Sequence, residues 1–128
     1  MKTEAKAWAG LAEESFILLR LLARRRFVRS TNLVCFHSNQ CIAKYLKARL
    51  TNEGKMIQRV KQLTDLLPMI LPLQPSVARF TSTMKKLNGE SKFCYPGHIA
   101  TRSDAREALK ACRSIRSEIR LSLGLPNK

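Results

Sequence analysis

The chain has 128 residues, with 24 Lys and Arg against 9 Asp and Glu, for a net charge of +15. A domain of this length buries roughly two-thirds of its unfolded surface, and a hydrophobic content of 45% excludes a disordered basic tail. So large a positive excess opposes compaction unless a polyanion or acidic partner covers it, which predicts a binding role and disfavours an acidic small-molecule enzyme.

The first predicted helix runs from about Thr3 to about Arg29, with Thr3 as N-cap and Glu4 suiting the helix dipole. Trp8, Leu11, Ala12, Leu18, Leu19 and Leu22 recur at helical spacing, and Phe16, Ile17 and Leu21 widen the apolar surface. Such a helix is expected to pack between several neighbours. It ends in Arg24, Arg25, Arg26 and Arg29, more cations than a C-terminus needs.

Residues 30–39 lack a helical period, and Asn32, His37, Ser38 and Asn39 suggest a loop. A second helix is predicted from about Gln40 to Asn52, with Ile42, Tyr45, Leu46 and Leu50 on one face. A third, from about Lys55 to Leu67, carries Met56, Val60, Leu63 and Leu67 as a seam, and Pro68 should break it. Pro68, Pro72 and Pro75 then predict an extended apolar strap over residues 68–75. A fourth helix, about Ser76 to Leu87, stops at Asn88-Gly89, and residues 90–100 look irregular.

The fifth helix carries the strongest signals. Thr101 and Asp104 have capping-box spacing, and Gly124 and Pro126 mark the end. Ala105, Ala108, Leu109, Cys112, Ile115 and Ile119 form one face, while Arg102, Arg106, Lys110, Arg113, Arg116 and Arg120 form another. The expected fold is therefore all-α: a small bundle of three to four helices plus a long basic C-terminal helix. Residues 1–89 would form the body, and residues 90–128 a loop and the basic helix.

No transmembrane segment is expected, because the apolar runs fall short of the roughly 20 residues a span needs. Neither a signal peptide nor a cleavable presequence is evident. Cys35, Cys41, Cys94 and Cys112 form no C-x-x-C pair and read as reduced thiols. Cys35, His37, Cys41, Cys94 and His98 could in principle supply zinc ligands, but their spacing matches no common pattern. No metal and no cofactor is expected. There is no P-loop, G-x-G-x-x-G, H-E-x-x-H or G-x-S-x-G, so the expectation is a protein that is not an enzyme.

Segregated cations on one helix face repel one another and cost stability unless a partner covers them. Nucleic-acid phosphate fits that demand best, with Arg24, Arg25, Arg26, Arg29 and the six cations of the fifth helix as contacts. A membrane surface is the weaker reading, because the apolar side of that helix lacks Trp and Phe. The charge is spread evenly along the chain, which suits a component of a ribonucleoprotein. A mitochondrial ribosomal protein bound to rRNA and to neighbouring proteins is the expected assignment.

Residues 11–71 also resemble the LYR-motif family of small mitochondrial proteins. Leu18-Leu19-Arg20 stands where that family has Leu-Tyr-Arg, and Tyr45-Leu46-Lys47-Ala48-Arg49-Leu50 stands where it has a basic, Phe-containing element. The resemblance implies a three-helix unit in the mitochondrial matrix that docks acyl carrier protein through Arg20, Lys44, Lys47 and Arg49. It implies an alternative role, as an accessory subunit or assembly factor of a respiratory or ATP synthase complex.

Overall fold

The computed structural model describes residues 1–24, 30–57 and 60–127. They form five α-helices: α1 (Thr3–Ala23), α2 (Thr31–Asn52), α3 (Leu67–Ile70), α4 (Thr81–Leu87) and α5 (Arg102–Ser122). Three 3₁₀ segments join them, at Leu63–Leu66, Pro75–Phe80 and Glu90–Cys94. No strand occurs among the described residues. The expected all-α class is what the structure shows.

The centre of the fold is α2, with α1 and α5 packed against it. Its buried residues include Val34, Cys35, Cys41, Ile42, Tyr45, Leu46, Ala48 and Leu50, which lie on more than one side of the helix. Helix α5 and the body share one core cluster, in which Ala105, Ala108, Cys112, Ile115 and Ile119 join Ile42, Leu46 and Met84. Burial of this apolar surface is the main force holding the helices together.

Helix α2 begins at Thr31, so the loop expected over residues 30–39 is corrected to helix, and His37 is helical. The polar residues that suggested a loop are used as ties between elements. Asn32 Nδ2 donates to the carbonyl of His98 at 2.7 Å, and its Oδ1 accepts from the Ala100 amide at 2.7 Å. Asn39 Nδ2 donates to the carbonyl of Leu87 at 2.8 Å. These bonds satisfy backbone groups at the end of α4 and in the stretch just before α5, which would otherwise be costly to bury.

Helix α1 turns inward only part of the expected face, with Ala12 and Leu19 buried and Trp8 and Leu22 at the edge of the core. Ala5, Ala9, Ala12, Phe16 and Leu19 are buried, at spacings of four and three. The alanines have little side chain to separate this face from its neighbour. Leu11, Ile17, Leu18 and Leu21 are left exposed.

The third predicted helix is absent. Residues 55–57 and 60–62 are not helical, and regular structure resumes at Leu63–Leu66 and continues into α3. Pro68 lies in the first turn of α3. Its missing N–H costs nothing there, so it opens a helix instead of breaking one. Pro75 likewise opens the segment Pro75–Phe80. The extended strap expected over 68–75 is thus largely a succession of helical turns, with Leu67, Ile70 and Val77 buried beneath them.

The ends of α5 follow the sequence signals. The Asp104 amide donates to Thr101 Oγ1 at 3.0 Å, and the Thr101 amide donates to Asp104 Oδ2 at 3.1 Å. That backbone hydrogen bond is the first cause holding the Asp104 carboxyl below its ordinary value. At the other end Gly124 takes φ +72°, which glycine adopts without Cβ strain. The Gly124 amide bonds to the carbonyl of Leu121 and the Leu125 amide to that of Arg120, the pairing of a Schellman motif.

Candidate nucleic-acid interface

The six cations expected to form one stripe on α5 divide into two groups. Arg102, Arg106, Lys110 and Arg113 are exposed. At 100° per residue these four fall within an arc of about 80°, over about 16 Å of helix. None of them enters an ion pair among the described residues. Arg106, Lys110 and Arg113 edge a shallow hollow of about 390 Å³, with Leu109 and Ser114 as the rest of its lining. A row of unpaired guanidinium and ammonium groups beside a shallow trough can accept a chain of phosphates.

Arg116 and Arg120 turn inward, which corrects the expected single stripe of six cations. The Arg116 side chain is only 6% exposed. Its Nε donates to Glu13 Oε1 at 2.8 Å and its Nη2 to Glu13 Oε2 at 2.7 Å, a two-point clamp. Its guanidinium carbon also lies 4.1 Å from the centre of the Phe16 ring. Arg120 Nη1 sits 3.3 Å from Glu13 Oε2 and donates to the Tyr45 hydroxyl at 3.1 Å. Tyr45 in turn donates to Glu13 Oε1 at 3.1 Å.

One carboxylate on α1 therefore ties α2 and α5 together. Burial pushes the Glu13 carboxyl upward, but the Arg116 hydrogen bonds and charge, Tyr45 and Arg120 outweigh it, and the net direction is down. Burial is also the first cause that raises the Tyr45 phenol to about 12, so it remains a neutral donor.

Sequence reasoning missed this knot because Glu13 and Arg116 lie 103 residues apart. A local signal did exist. Arg116 follows Cys112 by four positions and precedes Ile119 by three, so it occupies a core register of α5. A cation at such a position needs a buried anion.

The other expected contacts are scattered. Arg24 is exposed just after α1, while Arg25, Arg26 and Arg29 lie outside the described residues. Arg20 is exposed on α1. Lys44 edges a groove with His37, Leu11 and Leu18. Lys47 places its ammonium 4.9 Å from the centre of the Trp8 ring. Arg49 pairs with Glu53 and donates to Gln74 Oε1 at 3.1 Å.

The residues weighed as zinc ligands do not converge. Cys35 and Cys41 are buried and Cys94 is exposed. Cys41 packs against Cys112, and burial first, then the hydrogen bond to Cys112, raises its thiol well above the ordinary value. No three His, Cys, Asp or Glu residues gather as a metal site among the described residues. No helix among them is long and apolar enough to cross a membrane.

The two histidines occupy different hollows. His37 faces Leu11, Glu14, Ser15, Leu18 and Lys44 between α1 and α2. Burial, then the charge of Lys44, holds it below its ordinary value. Its Nδ1 is buried without a hydrogen-bond partner among the described residues. His98 lines a separate cavity with Phe93, Asp104 and Glu107, and its ring meets Phe93 edge-on at 5.2 Å.

No curated protein and no solved structure matches the chain. A protein-family profile for the HEPN domain matches residues 5–121, nearly the whole chain from α1 through α5. It spans the segment where the LYR-motif resemblance was read, and no LYR-motif family matches. That resemblance is overturned: basic amphipathic helices imitate a motif carried by three residues when its aromatic position is not met. The mitochondrial ribosomal assignment and the LYR-like accessory role are corrected with it, and the inferred acyl carrier protein contacts lose their basis. The chain belongs to the HEPN domain family.

Proposed function

We propose that this HEPN domain binds RNA through the exposed half of α5 and holds it without cleaving it. The observation that carries the reading is the row Arg102, Arg106, Lys110 and Arg113, exposed and without an ion pair among the described residues. The family supports it, since HEPN domains often bind RNA. Contacts to phosphate alone confer affinity with little sequence preference. Charge reversal at Arg106 and Arg113, read by RNA-binding affinity, tests it.

HEPN domains are also often RNases. Cleavage by acid–base chemistry needs a titratable group positioned at the phosphate. His37 lies in the groove between α1 and α2, whose other lining residues do not belong to the α5 row. His98 lines a different cavity. End-labelled RNA incubated with the protein should keep its length. Shortening that disappears in His37→Ala or His98→Ala would show this part of the reading to be wrong.

The outer face of α1 supports self-association, a habit of HEPN domains. Leu11, Leu18 and Leu21 stand at helical spacing on that face, with Ile17 beside them, and all are exposed. Exposed leucines grouped in this way are often covered by a partner. The chain should sediment as a dimer, and Leu18→Glu with Leu21→Glu should yield a monomer that keeps its helical circular dichroism. Unchanged mass in that variant would exclude α1 as the interface.

A further inference from the structure

Helix α5 borders a second feature besides the cationic row. Between α2, α4, the 90–94 segment and α5 lies a cavity of about 310 Å³, large enough for a small ligand. Cys35, Leu87 and Phe93 give it an apolar interior. Burial raises the Cys35 thiol to about 12, so it is a neutral part of that wall. Phe93 and His98, edge to face at 5.2 Å, add aromatic surface.

The rim carries both signs of charge. Lys86 Nζ lies 3.2 Å from Glu107 Oε2, and both side chains are about half exposed. Exposed pairs of this kind are weak and open readily to a better partner. Lys92 reaches over the Phe93 ring at 5.1 Å and donates to the Lys86 carbonyl. Asp104 also lines the cavity, but one of its oxygens is committed to the helix cap. Glu107 is thus the carboxylate best placed to receive a ligand, with an ammonium beside it.

A matching ligand is flat and presents two adjacent donors with an acceptor next to them. Guanine has this edge: its N1–H and N2 amino group can face one carboxylate, while O6 accepts from an ammonium. Uracil has a single N–H between two acceptors, and adenine has no pair of adjacent donors on its Watson–Crick edge. Glu107 precedes Lys110 of the cationic row by three residues, which makes the two neighbours on the helix surface, so a base leaving the phosphate track along α5 would meet the cavity. Unstacked bases of single-stranded RNA are commonly held against aromatic side chains in this way.

We propose that this cavity takes a guanine base from the RNA bound along α5, with Glu107 accepting from its N1–H and N2 amino group and Lys86 donating to its O6. The proposal rests on the RNA-binding reading and adds a base preference to it. The test compares a short uridine-only strand with the same strand carrying one central guanosine, by fluorescence anisotropy at several salt concentrations. The guanosine strand should bind about tenfold more tightly. Glu107→Gln should abolish that difference while leaving the uridine strand bound at least as well, and guanosine monophosphate should compete with the difference alone. Equal binding of the two strands with a steep salt dependence would overturn the base site and leave the phosphate contacts standing. A preference that survives Glu107→Gln would overturn it as well, by placing the base elsewhere. Binding of neither strand would overturn the base site and the RNA-binding reading together.

Discussion

Glu13→Gln should lower stability at neutral pH by about 2–3 kcal/mol, although Gln has nearly the same shape. The substitution leaves two inward-turned guanidiniums, Arg116 and Arg120, without their shared anion. Removing one partner from a buried pair typically costs about 3–5 kcal/mol, and the partial exposure of Glu13 reduces that figure. A midpoint fall of roughly 8–12 °C follows for a domain of this size. The pH dependence has a definite sign. The Glu13 carboxyl is held below its ordinary value of 4.5 in the folded chain, so its contribution is present above that value and is lost as pH falls through the depressed one. The gap between wild type and variant should therefore be full at pH 7 and narrow steadily on acidification below about 4.5. Thermal melts across that range check it, and equal midpoints at pH 7 would refute the role of the knot.

Arg106→Glu combined with Arg113→Glu should weaken RNA binding by roughly one to two orders of magnitude at low salt. Each reversal removes a phosphate contact and adds a repulsive charge, and contacts of this type dominate non-specific affinity. The loss should be similar for unrelated RNA sequences, because phosphate contacts carry no sequence information. Both side chains are exposed and have no ion pair among the described residues, so stability should change by less than about 0.5 kcal/mol. Arg120→Gln gives the opposite pattern. Arg120 is engaged with Glu13 and Tyr45, so stability should fall while the salt dependence of RNA binding stays as in wild type. Binding measured beside thermal melts separates the two groups of arginines, which share a charge and a helix and differ in what they touch.

Much of the architecture was legible in the sequence where local rules decide it. The capping box at Thr101 and Asp104, the stop at Gly124 and the apolar face of α5 all depend on residues within a few turns of one another. The start of α2 was illegible because Asn32 and Asn39 bond to Leu87, His98 and Ala100, partners distant in sequence. Polar residues used as tertiary ties look like loop residues when read alone. The prolines misled for a related reason: Pro68 and Pro75 are compatible with the first turn of a helix as well as with its end, and packing decides between them. The inward face of α1 was legible at Ala12, Phe16 and Leu19 but not at Ala5 and Ala9, which are less conspicuous than the leucines opposite. In the candidate site, the outer four cations of α5 were legible from spacing alone. The inward turn of Arg116 and Arg120 depends on Glu13, an α1 residue whose role no local pattern reveals.

The salt dependence of RNA binding by the wild-type chain tests the central claim most directly. Four phosphate contacts on a single strand predict that log K falls against log salt with a slope of about −3, becoming shallower by about one unit for each of Arg106→Gln and Arg113→Gln. A wild-type slope shallower than about −1, or a slope that these two substitutions leave unchanged, would contradict the assignment of α5 as the RNA-binding surface.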